Sequence, residues 1–146
     1  MSTICNNRTL AAKELLRLLS PVLLCANRPD FDKAIAAAGY QTAGLNLPLA
    51  RSLVGLDVID IQSNISHKIR EALPLSKPIC LTDYEMLFDP RYQLDIMRLF
   101  LDVSRRNKLI VKWCGATDGD MLIYAEQGFE DYKRIRISDY DITVVT

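Results

Sequence analysis

The sequence predicts a single α/β domain with a mostly parallel central sheet and an antiparallel hairpin or tail at its C-terminal end. Three observations carry this. Short continuous apolar runs, Val22–Ala26, Ile79–Thr82 and Leu109–Trp113, read as strands buried on both faces. Segments of helical periodicity stand between them, and that alternation implies parallel pairing through right-handed crossovers. After Leu109 the helical patterns stop and only strand patterns follow.

Taken in order, Arg8–Ser20 reads as a helix capped by Thr9, with Leu15, Leu16, Leu18 and Leu19 as its apolar face and Pro21 as its stop. Val22–Ala26 is the first strand, and Asn27–Phe31 is a loop. Asp32–Ala38 is a helix with Asp30 as N-cap and Gly39 as its terminating glycine. Tyr40–Leu47 is a second strand and Pro48–Val54 a short helix. In Asp57–Leu73 the residues Val58, Ile61, Ile65, Ile69 and Leu73 recur at three- and four-residue spacing, which predicts a longer helix. Ile79–Thr82 is the third strand, Tyr92–Arg105 a helix and Leu109–Trp113 the fourth strand. Met121–Ala125 is the fifth. Its join to the fourth, Cys114–Asp120, is too short for a crossover helix, which predicts that these two pair as a hairpin. Ile135, Ile137, Ile142, Val144 and Val145 alternate like one or two further strands.

Composition narrows the function classes. At 146 residues the chain is one domain, residues 1–146, with no repeat or linker. It is long enough to bury about 70% of the surface its unfolded form exposes. Eighteen basic and eighteen acidic residues cancel, so no global field draws it to nucleic acid or to a membrane. No stretch reads as a signal peptide or a membrane span, which predicts a cytoplasmic protein with no membrane partner. Cys5, Cys25, Cys80 and Cys114 form no C-x-x-C pair and match no zinc template, so they read as small buried hydrophobes. His67, the one histidine, lies off the Ile61–Ile65–Ile69 stripe and reads as a surface residue.

The first strand, loop and helix have the layout of a P-loop, in which G-x-x-x-x-G-K-[ST] wraps phosphate with backbone N–H groups. Here the stretch is Asn27-Arg28-Pro29-Asp30-Phe31-Asp32-Lys33-Ala34. Lys33 falls on the motif lysine. Asn27 and Asp32 replace the glycines, Pro29 removes a donor, and Ala34 replaces the metal-binding hydroxyl. Asp30 and Asp32 put carboxylates where phosphate would sit, and two like charges about 4 Å apart repel by roughly 1 kcal/mol even in water. The third strand ends in Asp83-Tyr84-Glu85, the form of a Walker B segment, whose acidic end holds Mg²⁺ and polarises water. A strand ending in aspartate for solvation is the plainer reading. Together the two halves predict a P-loop NTPase-like three-layer sandwich with a degenerate phosphate loop.

The second half of the chain carries a more specific resemblance. It rests on Leu87-Phe88-Asp89-Pro90, on the helix with Leu94, Leu99 and Arg105, and on Leu109–Trp113. It continues through Leu122-Ile123-Tyr124-Ala125-Glu126, Gly128 and Asp131-Tyr132. These, with Leu45-Asn46-Leu47 and Leu49–Leu53 upstream, resemble the small P-loop-containing protein of type 3 BREX bacteriophage-exclusion systems. The resemblance implies a component of an antiphage complex whose partners are other BREX subunits or further copies of itself. By position it carries over Lys33, Asp83 and Glu85 as vestigial nucleotide-binding residues. No cofactor is expected given the loop; Mg-ATP is the alternative, with the chain as an ATP-binding or ATPase subunit.

Two basic patches stand out, Arg105-Arg106-Asn107-Lys108 and Lys133-Arg134-Ile135-Arg136. In a strand Arg134 and Arg136 share one face. Arg105, Arg106, Lys133, Arg134 and Arg136 are thus candidate contacts to DNA phosphates, against a default of solvated surface. The Tyr92–Arg105 helix confines its polar residues Asp95, Arg98 and Asp102 to one narrow stripe, more apolar than one contact face requires. It is either buried inside the domain or covers a partner, with Phe100 and Leu101 as the interface residues in the second case.

Overall fold

The computed structural model describes residues 1–146. Six parallel strands form the main sheet: β1 (Thr3–Cys5), β2 (Val22–Leu24), β3 (Gln41–Gly44), β4 (Ile79–Thr82), β5 (Leu109–Lys112) and β9 (Thr143–Val145). Their order across the sheet is β1-β9-β2-β5-β4-β3. A separate antiparallel sheet holds β6 (Ala116–Asp118), β7 (Met121–Tyr124) and β8 (Lys133–Arg136).

Alternate residues of the main strands feed two cores. Val22, Leu24, Cys80, Ile110 and Val145 face α1 (Ala12–Leu15) and α2 (Pro29–Ala37), through Leu15, Phe31 and Ile35. Leu23, Ile79, Leu81, Leu109, Val111 and Val144 face α3 (Asn46–Ser52), α4 (Val58–Ala72) and α5 (Ile96–Ser104), together with the small sheet. This is a three-layer α/β sandwich, as the apolar runs predict: each such strand is covered on both sides.

Several elements differ from the expectation. The helix expected over Arg8–Ser20 is a 3₁₀ turn at Asn7–Thr9 and a single α-helical turn at Ala12–Leu15. The carbonyls of Asn7 and Leu10 instead accept from the Arg28 guanidinium, at 2.5 and 2.9 Å. Helix α2 starts at Pro29, not Asp32, because proline at the first helical position has its φ preset and lacks an N–H that would be orphaned there. Its end is as expected: Gly39 at φ +84°, with Gly39 N–H donating to Ala36 O and Tyr40 N–H to Ile35 O, forms a Schellman motif. Asp57 caps α4 by accepting from Asp60 N–H at 2.8 Å, and Ile61, Ile65 and Ile69 are buried. The helix expected from Tyr92 begins only at Ile96. Pro90–Tyr92 is a 3₁₀ turn, Gln93 is left-handed at φ +52°, and Asp95 is the N-cap, accepting from Arg98 N–H.

The expected hairpin between Leu109–Trp113 and Met121–Ala125 does not form. The chain leaves the main sheet after Lys112, and β7 pairs with β6 across the two-residue Gly119–Asp120 turn. Gly115 permits this departure, since a Cβ there would lie 1.9 Å from Ile123 O. The C-terminal pattern resolves into two strands in different sheets: β8 pairs with β7, and β9 inserts between β1 and β2. Strand β1, in a segment given no element by the sequence reading, forms the edge. No helix is long and apolar enough to cross a membrane.

Candidate functional site

In a parallel sheet the loops after the strands gather at the carboxyl edge, where ligands of such folds bind. That edge holds the loop from β2 into α2, the Asp83–Glu85 corner after β4, Asn46 after β3 and Cys114 after β5.

The first half is closed by the chain's own side chains. Arg28 donates from Nε to Asp30 Oδ1 at 2.9 Å and from Nη2 to Asp30 Oδ2, while its guanidinium stacks 4.0 Å from the Phe31 ring centroid. Asp30 has its pKa lowered by the Arg28 hydrogen bond and charge, with help from backbone N–H groups at the helix start. Pro29 offers no donor, and the Phe31 and Asp32 N–H groups both bond to Arg28 O. A carboxylate held by Arg28 thus stands in the first turn of α2, the end that would receive phosphate in a P-loop. Because α2 starts early, Lys33 stands more than one turn into it and is exposed. The ammonium that reaches the crevice comes from Lys112 at the end of β5, with Nζ 2.5 Å from Asp32 Oδ1. That pair lies beside a cavity of about 130 Å³ between α2 and the sheet, with Thr42, Cys80 and Thr82 on its wall. The residues present do not fit a nucleotide phosphate chain.

The second half is more open. Asp83 is exposed and left-handed at φ +48°, and its carbonyl accepts from the Leu45 and Asn46 N–H groups at 2.9 and 2.7 Å. A Cβ at Gly44 would come within 3.1 Å of Asp83 Oδ2, a tight contact that only a shift of the exposed Asp83 side chain would relieve. Glu85 is half-buried and accepts from Asn46 Nδ2 at 2.8 Å, while Asn46 Oδ1 accepts from Met86 N–H at 3.1 Å. Glu85 opens onto a groove of about 620 Å³, walled by Met86, Asp89, Arg91, Phe129, Glu130 and Asp131. No three His, Cys, Asp or Glu side chains are grouped to hold a metal ion.

Between the halves stands Tyr84, fully buried, which the sequence reading passed over. Its hydroxyl donates to Lys112 O at 2.7 Å and accepts from Cys114 N–H at 3.2 Å, tying the end of β4 to the end of β5. Its ring meets Phe100 edge-on at 5.4 Å. A lone tyrosine in an acidic corner gives no signal of this in the sequence. Burial pushes the thiol of Cys25 up to about 12 and that of Cys114 to about 11, and raises Cys80 too, so these are packed, unreactive thiols.

Asp83 and Glu85 therefore share the carboxyl edge, while Lys33 is exposed on α2 and lines no part of either cavity there. Phe100 is fully buried in the chain's own core and is not an interface residue; Leu101 is half-buried against that core. The excess apolarity of α5 is explained by internal packing. His67 is exposed and paired with Glu71 at 2.8 Å. Arg134 and Arg136 do share the exposed face of β8, with Arg134 3.7 Å from Asp118. Lys133 and Arg134 lie near Asp95 and Ile96 at the start of α5, whereas Arg105 and Arg106 follow its end. The two basic patches thus lie toward opposite ends of that helix, which is about 13 Å long. Compared with protein-family models, curated proteins and solved structures, the chain matches none.

Proposed function

We propose that this chain is a P-loop-type domain that has given up nucleotide hydrolysis and serves as a subunit-contact component of a BREX-type antiphage assembly. The observation that carries the first part is the start of α2, which carries the Arg28–Asp30 ion pair where a P-loop has open glycine backbone. Lys33, Asp83 and Glu85 are relics in this reading. The sheet supports a P-loop ancestry: β5 lies between the loop strand β2 and the acidic strand β4, and β9 flanks β2, the plan of P-loop ATPases with an interposed strand. The antiphage setting rests on the likeness of the second half of the chain.

Two measurements test this. Calorimetric titration with Mg-ATP is expected to show no binding, and a dissociation constant of about 10 µM or tighter overturns the reading. In cells that depend on the protein for phage resistance, Lys33→Ala is expected to protect as well as the wild type. A stable Lys33→Ala protein without protection would mean that the loop still works.

A further inference from the structure

We propose that the protein self-associates head to tail, the basic amino edge of one copy's main sheet seating in the acidic carboxyl-edge groove of the next. This rests on the subunit-contact reading and names its partner as a second copy of the same chain.

All the main-sheet pairings are parallel, so the molecule has two unlike ends. At the carboxyl end, Glu85 and Asp89 share the open groove with Glu130 and Asp131. Arg91 is the one cation lining it and is taken by Asp89, at 2.6 Å. Exposed Phe129 and half-buried Met86 give the groove an apolar wall.

The amino end gathers cations from separate segments. Arg70 lies at the end of α4, Arg105 and Arg106 follow α5, and Lys77 and Lys108 precede β4 and β5. The fold holds them together through buried Asn107, whose Nδ2 donates to Pro74 O at 2.8 Å and to Lys77 O at 2.9 Å. Arg70 and Arg106 wall one shallow depression with exposed Leu75. Of these cations only Arg105 is in an ion pair, with Asp102 at 3.7 Å, and that pair is exposed and holds it weakly.

The two ends are complementary in charge, and each presents a large exposed hydrophobe, Leu75 on one and Phe129 on the other. Arginine forks suit carboxylates such as those of the groove. Because the surfaces lie at opposite ends of one sheet, seating one copy's basic end in the next copy's groove leaves one unused surface at either end of the pair. The contact is heterologous, building an open chain or a closed ring.

The test is sedimentation velocity from about 5 to about 500 µM protein, at about 0.05 M and about 0.5 M salt. Wild type is expected to grow in mass with concentration at low salt and to revert toward monomer at high salt. Two charge reversals, Glu130→Arg with Asp131→Arg and Arg105→Glu with Arg106→Glu, alter opposite ends at surface positions. Each alone is expected to be monomeric, its association weakened by at least about 10-fold. Mixed in equal amounts, the neutral pair Glu130→Gln with Asp131→Asn and the neutral pair Arg105→Gln with Arg106→Gln should form a dimer and nothing larger, since one good surface remains on each and the blunted ends, unlike reversed ones, do not attract one another. Thermal melts check folding, and the same neutral pairs replace any reversal that unfolds.

A wild type that stays monomeric at low salt overturns the proposal. So do variants that assemble alone, or a mixture that stays monomeric or grows past a dimer. If the Arg105 and Arg106 face binds a labelled DNA duplex while the protein stays monomeric, the basic end is a nucleic-acid contact instead. Mg-ATP binding with head-to-tail assembly intact sinks only the silent-loop reading; a monomer that ignores ATP sinks only this one.

Discussion

Arg28 does more at the residue scale than its place in a degenerate loop suggests. It joins the N-terminal segment to α2 through Asn7 O and Leu10 O, pairs with Asp30, and covers the Phe31 ring. Removing it leaves the partly buried Leu10 carbonyl without a donor and Asn7 O with only the Leu10 N–H at 3.3 Å, so Arg28→Ala is expected to cost about 1.5–3 kcal/mol in urea unfolding. Asp30→Ala breaks only an exposed pair and should cost clearly less. The pH dependence has a definite sign. The folded-state pKa of Asp30 is depressed, so the unfolded chain takes up its proton first as pH falls. The clamp's contribution is complete above about pH 4 and is lost as pH drops through the folded value. The Arg28→Ala deficit should therefore shrink between neutral pH and about pH 3, and a deficit that stays constant would place the whole effect in the carbonyl contacts. Tyr84 offers a second residue-scale test. Tyr84→Phe keeps the ring but leaves Lys112 O without its donor and Cys114 N–H without its acceptor, an expected loss of about 1–3 kcal/mol at an unchanged denaturant slope. The sequence exposed the missing P-loop glycines and hydroxyl. It could not show that Asp30 and Arg28 fill the gap, because that depends on where α2 begins.

Among the elements, α4 and α5 show which patterns are legible and why. The Ile61–Ile65–Ile69 stripe has helical period and an Asp57 cap, so local chemistry and packing agree and the helix is read from sequence to within a residue or two. In α5 the apolar content is so high that periodicity no longer marks a start. The start is set by Gln93 in the left-handed region and by the Asp95 cap, neither of which breaks the apolar pattern. The same content left open whether Phe100 packs inside or faces a partner. Its burial against Tyr84 settles that in favour of the core. Phe100→Ala is expected to destabilise the domain by about 3–5 kcal/mol, the range for emptying a buried aromatic site. Phe100→Asp should abolish the cooperative thermal transition. A Phe100→Asp protein that melts near the wild-type temperature would show that the ring does not sit in the core.

The arrangement of the whole molecule turns on β9. Strand patterns after Leu109 are visible in the sequence, but which sheet each strand joins is not. A run of alternating residues carries no information on its partner, and here the choice is made by contacts across nearly the full chain. The last strand, Thr143–Val145, runs between β2 and β1, with Val144 buried in one core and Val145 in the other. It is β1's sole partner, so the two ends of the chain meet in the sheet: Thr3 N–H donates to Ile142 O at 3.0 Å and Thr146 N–H to Cys5 O at 2.9 Å. Closing that pairing joins residues about 140 positions apart, the kind of contact that slows folding and makes it all-or-none. The two edge elements should therefore respond unequally to truncation. Deleting residues 1–5 removes an edge strand whose own residues are largely exposed, and the product is expected to keep a cooperative melt at a lower midpoint. Deleting residues 141–146 strips β1 of its partner, bares the edge of β2 and empties buried positions in both cores. That protein is expected to lack a cooperative transition and to aggregate through the opened strand edge. Circular-dichroism melts of both truncations decide the matter: a C-terminal truncation that still melts cooperatively would show that β2, β5, β4 and β3 form a stable unit without the strand that unites the chain ends.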